Sequence, residues 1–111
     1  MKLRYSLLVL LLVFPLLIEA HPAKKVKLKY AEGKLFIEVM HPVNNAENHY
    51  ISNITVYVDG VEVKTIEPKR QSSKESEIVE LLIPEIQQGS KVVVKTTCNK
   101  LGNKKAKIVV R

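Results

Sequence analysis

The sequence predicts an all-β protein, a two-sheet antiparallel sandwich of about seven short strands over residues 25–110. Three observations carry that expectation. Apolar and polar residues alternate with period two in one segment after another, and turn-forming residues recur roughly every ten positions. Beyond residue 20, no stretch shows the apolar spacing of a helix.

Val26–Tyr30 and Leu35–Val39 alternate in this way, and Ala31, Glu32 and Gly33 turn the chain between them into a hairpin. The polar stretch MHPVNNAENHY, residues 40–50, follows as a loop. In Ile51–Val58, Ile51, Asn53, Thr55 and Tyr57 face one way and Ser52, Ile54, Val56 and Val58 the other. Asp59-Gly60 is the strongest hairpin signal, because a type I′ turn requires positive φ at both central residues. Val61–Ile66 is the return strand. Glu67–Glu75 is polar, carries Pro68 and reads as a surface loop. Ser76–Ile83 is a strand closed by Pro84, and Glu85–Ser90 turns the chain through Gly89. Lys91–Thr97 is a strand with the β-branched run Val92, Val93, Val94. Cys98–Asn103 is a short loop with Gly102, and Lys104–Val110 places Ala106, Ile108 and Val110 on one face. This spacing fits an immunoglobulin-like architecture.

Residues 1–20 form a separate segment. Lys2 and Arg4 make a positive start, and Ser6–Ile18 is an apolar run interrupted by Pro15. Thirteen residues are too few to cross a bilayer, which needs ~20. Ile18 and Ala20 fall at the −3 and −1 positions of a possible cleavage site, so the expectation is an exported protein, periplasmic or extracellular, whose mature chain is residues 21–111, with retention of the segment as an anchor the alternative. That chain carries 16 basic and 10 acidic residues. Its lysines are spread along alternating strand positions, as in Lys25, Lys27 and Lys29, and there is no Trp for base stacking. This argues against a nucleic-acid partner and for solvated strand faces whose field attracts small anions. After cleavage nothing is left to hold the chain in a membrane.

The single cysteine, Cys98, cannot form an internal disulfide, which leaves an intermolecular bridge, a free thiol or a metal ligand. The three histidines, His21, His41 and His49, also fall at predicted strand ends. Each of the four has a structural role open to it. His21 follows the cleavage site, His41 precedes Pro42 and ends a strand, His49 enters one, and Cys98 is a small apolar residue. Loops of a sandwich cluster at its two ends, so the four side chains converge if those ends coincide. Imidazoles with one thiolate suit iron, copper or zinc. Cys98 lies in no recognisable nucleophile–base pattern.

His41-Pro42, His49-Tyr50-Ile51, Ile54 and Val56 on a strand, and then Asp59-Gly60 resemble the iron-binding domain of the desulfoferrodoxin and superoxide reductase family. Cys98-Asn99-Lys100-Leu101-Gly102 is similar to that family's Cys-Asn-x-His-Gly block, and Glu19-Ala20-His21 to its Glu-Lys-His segment. The resemblance implies a mononuclear iron on an immunoglobulin-like sandwich, with His21, His41 and His49 as equatorial ligands and Cys98 as the axial one. It implies reduction of superoxide to peroxide at an open position, with electrons from a donor protein. Leu101 stands where the family has its fourth histidine, Ala20 where it has a lysine, and the loop between the central histidines is longer. The cationic role then falls to Lys24, Lys25 or the new α-amino group, and that amine could chelate together with the His21 imidazole. Copper or zinc are alternatives to iron at a site of this composition. The His-Pro loop followed by His49-Tyr50-Ile51 is also similar to the small sandwich partner of the sulfur-carrier complex in thiosulfate oxidation, which implies instead a binding module without iron.

Overall fold

The computed structural model describes residues 21–111, and the signal segment expected at 1–20 lies outside the described residues. Seven strands form in the expected order: β1 (Lys25–Ala31), β2 (Lys34–Met40), β3 (Ile51–Val58), β4 (Val61–Ile66), β5 (Ser76–Leu82), β6 (Lys91–Cys98) and β7 (Asn103–Val109). All pairings are antiparallel. One sheet has the order β1-β2-β5 and the other β4-β3-β6-β7. The differences from expectation are of one or two residues: β5 ends at Leu82 instead of Ile83, and β7 runs Asn103–Val109 instead of Lys104–Val110. β6 runs on through Cys98, and the turn of the first hairpin tightens to Glu32-Gly33, both at positive φ.

The alternation read in the sequence becomes the core. Leu28, Ile37 and Val79 lie opposite one another across the first sheet, as do Tyr30, Leu35 and Leu81. Val56, Val94 and Ala106, then Val58, Val92 and Ile108, do the same across the second. These rows face each other, and Leu35, Val39, Ile51, Ile54, Val56, Val92 and Val94 are wholly buried. Each such side chain contributes ~1.5–3 kcal/mol through removal from water.

The lysines are explained by the edges. β1 and β7 are edge strands of their sheets, and they carry Lys25, Lys27 and Lys29, and Lys104, Lys105 and Lys107. Charged side chains on an edge strand oppose pairing with a second chain. Much of the basic charge therefore has a structural role.

Strand direction decides where the histidines go. Antiparallel order brings the start of β1, the end of β2, the starts of β3 and β5, the end of β6 and the start of β7 to the same end of the sandwich. The loop at 41–50 also crosses from one sheet to the other there. Backbone bonds tie this end together: Lys24 N–H to the Met40 carbonyl (2.8 Å), His41 N–H to Glu75 (3.0 Å) and Asn99 N–H to Tyr50 (3.0 Å).

Candidate metal centre

His41 directly follows β2, is completely buried and has its backbone N–H bonded to the Glu75 carbonyl. His21 stands four residues before β1, and His49 lies on the loop into β3. That loop is ordered by local bonds. The Glu47 N–H donates to Asn45 Oδ1 (2.9 Å), and the His49 N–H donates to the Asn45 carbonyl (3.0 Å). A bulge at Ser52, between the Ile51–Cys98 and Asn53–Thr97 pairs, bends β3 just beyond. Bulges beside sites re-aim the chain in this way.

The three imidazoles meet. Ring centroids are 5.1 Å apart for His21–His41, 5.5 Å for His21–His49 and 4.9 Å for His41–His49. One ring nitrogen from each lies within 4.8 Å of the others. A shallow cleft of about 280 Å³, lined by His21, Pro42, Val43, Asn44 and His49, opens beside them.

The hydrogen bonds around the rings suit a cation. His21 Nδ1–H donates to the Pro22 carbonyl at 2.9 Å, leaving its Nε2 as a lone-pair donor. His41 Nδ1 meets Gln71 Oε1 at 2.8 Å, while its Nε2 faces the His21 carbonyl at 3.2 Å. His49 Nε2 is buried with no partner at all. An orphaned buried nitrogen costs ~1–3 kcal/mol. Bound metal removes that cost, and a set of neutral imidazoles suits iron, zinc, copper or nickel.

Burial, with the nearby His41, His21 and Lys100, holds His49 below the ordinary imidazole pKa of 6.5. The neutral ring is the form of imidazole that can bind a metal. The sign of the pH effect follows. In the unfolded chain His49 takes up a proton as pH falls through about 6.5, whereas the folded protein resists until lower pH. This contribution leaves stability undiminished above 6.5 and lowers it progressively as pH drops toward the folded value. Urea titrations of metal-free protein between about pH 8 and 5 should show that decline, and His49→Ala should lessen it. An unchanged slope in the variant would assign the acid sensitivity to other groups.

Cys98 ends β6 opposite Ile51, at the same end of the sandwich. It is buried, and its Sγ accepts the Lys100 backbone N–H at 3.4 Å. The group of ring nitrogens within 4.8 Å does not include it. Its neighbour Asn99 ties β6 to the histidine loop, with Oδ1 accepting the Tyr50 N–H (2.9 Å) and Nδ2 donating to the Asn48 carbonyl (3.0 Å). Leu101 is 55% exposed. Lys24 and Lys25 both have exposed side chains beside the end of β2, where the Lys24 N–H bonds the Met40 carbonyl.

Two residues at the site were not singled out by the sequence reading. Lys100 is the cation whose charge acts on His49. Gln71 lies in the polar stretch expected to be a surface loop, yet it is 3% exposed and contacts His41. A glutamine among charged and hydroxyl residues carries no sequence signal of burial.

No family model and no curated protein matches the sequence. Among solved structures, the fold is similar to that of a superoxide reductase (1Fe-SOR) from Giardia intestinalis, with a TM-score of 0.63. The match covers 81% of this chain and 100% of that one, at 15% sequence identity. At that identity the likeness is one of fold: the described residues share the sandwich of a superoxide reductase and carry, at one end of it, three histidines close enough to hold a metal.

Proposed function

We propose that this protein is a superoxide reductase-like mononuclear iron protein, exported to a periplasm or cell surface, with iron held by His21, His41, His49 and Cys98. The observation that carries the reading is the cluster of three imidazoles with one buried unpartnered nitrogen, on a sandwich similar to that of a superoxide reductase. Cys98 supports it as the thiolate ligand. It is buried at the same end of the sandwich, and its Sγ accepts the Lys100 backbone N–H. Held there, ferrous iron would supply the one electron that, with two protons, reduces superoxide to hydrogen peroxide, and an electron-donor protein would return the iron to the ferrous state. The chain's own residues hold the site and draw in the anion. Lys100 does so beside His49, with Lys24 and Lys25 adding positive charge beside β2.

The exposed Leu101 favours a second reading. With no fourth imidazole, three histidines and one thiolate make a four-ligand set that zinc or copper accepts, and the protein would then be an exported metal-binding module.

Elemental analysis of protein from its native compartment, with the visible spectrum of the oxidised form, separates the two. The expected result is iron in about one equivalent with a sulfur-to-iron(III) charge-transfer band. Cys98→Ser abolishes the band, and superoxide reoxidises the ferrous wild type. Zinc or copper in place of iron, or a band unchanged in Cys98→Ser, overturns the iron–thiolate assignment.

A further inference from the structure

Gln71 is bonded at every polar atom of its side chain. Its Nε2 donates to the His41 carbonyl at 2.7 Å and to the Ser73 carbonyl at 2.9 Å, and its Oε1 meets His41 Nδ1 at 2.8 Å. Its backbone N–H donates to the Ala46 carbonyl at 3.0 Å, on the histidine loop. The residue is buried, so water offers no substitute partners.

This pattern fixes the orientation of the amide. Turning it over would put Oε1 against two carbonyl oxygens and lose two hydrogen bonds. With both Nε2 hydrogens committed to carbonyls, Oε1 is what faces His41, and an amide oxygen only accepts. His41 must therefore carry its proton on Nδ1. Its Nε2 lies 3.2 Å from the His21 carbonyl, an acceptor that either a proton or a metal cation on Nε2 would satisfy.

We infer that Gln71 is a positioning residue for the metal centre: it holds His41 in the Nδ1–H tautomer and presents Nε2 as a ligand. The inference rests on the proposed metal site but not on which metal fills it. Gln71 also links three segments that must keep register for the histidines to meet: the end of β2, the loop at 41–50 and the loop before β5. Partners of this kind raise ligand basicity and fix ring orientation, and their loss weakens metal binding by about 10–100-fold.

The test uses metal-free protein and zinc(II), which is redox-silent. Long-range ¹⁵N–¹H correlation spectra at about pH 8, above the ordinary imidazole pKa, report the tautomer of His41 directly. In the wild type the proton should sit on Nδ1. In Gln71→Met, His41 should populate both tautomers, and the zinc dissociation constant from calorimetry should rise about 10–100-fold. Gln71→Glu keeps the acceptor at Oε1 and should retain the Nδ1–H form, while its second oxygen, set against the His41 and Ser73 carbonyls, should lower the stability of the fold. A wild-type His41 protonated on Nε2 overturns the inference without any variant, which covers the case in which Gln71→Met fails to fold. Unchanged tautomer and affinity in a folded Gln71→Met also overturns it. If wild type binds no zinc while the tautomer responds to Gln71 as described, the metal reading falls and the positioning role stands.

Discussion

His41→Ala is expected to abolish tight metal binding and to destabilise the metal-free protein by about 2–4 kcal/mol, whereas His49→Ala should abolish binding with a stability change within about 1 kcal/mol. The two rings belong to the same cluster but are held differently. His41 is wholly buried and engages Gln71, so removing it opens a cavity and strands the Gln71 Oε1. His49 is half-buried and its Nε2 bonds nothing, so truncation removes a desolvated nitrogen that had no compensation. Loss of either imidazole should weaken zinc binding on the order of 100-fold or more, since even a supporting residue is worth 10–100-fold. Urea unfolding in chelator and calorimetric zinc titration measure the two quantities separately. Equal destabilisation by the two substitutions would make His49 a packing element and remove the strongest mark of a metal site.

The part of this fold that was legible is the part written in local alternation. Leu35, Ile37 and Val39 alternate because one side of β2 meets the core, and Asp59-Gly60 turns the chain because its backbone must sit at positive φ. The convergence of the three histidines was legible for a topological reason. Because consecutive strands alternate in direction, positions just before β1, after β2 and before β3 share one end, and His21, His41 and His49 occupy them. What could not be read is what depends on contacts between distant loops. Gln71 is 30 positions from His41 in sequence and looks like its polar neighbours. The charge of Lys100 bears on His49 only because the β6–β7 turn packs beside the histidine loop through Asn99. Burial of Cys98 follows from its register opposite Ile51, which the bulge at Ser52 sets and no spacing rule gives.

Gly102→Ala should cost about 2–3 kcal/mol and also weaken metal binding, although Gly102 is no ligand. Two demands meet at this residue. Its φ is +84°, and a Cβ there would lie 3.0, 3.1 and 3.3 Å from Cβ, Cδ and Cγ of Pro22. The Pro22 ring is rigid and directly follows His21, so relief of the clash must move the backbone that carries the His21 imidazole. Gly102 itself is held, because its carbonyl accepts the Cys98 N–H at 3.0 Å across the turn between β6 and β7. Gly60 provides the control, with φ +86° and nothing within 4 Å of an added Cβ. Gly60→Ala should cost about 1–2 kcal/mol from the backbone alone and leave zinc affinity untouched. The difference between the two substitutions isolates the contact with Pro22. A Gly102→Ala protein that loses stability but binds zinc as tightly as wild type would mean that His21 is positioned by something other than this contact, or does not ligate.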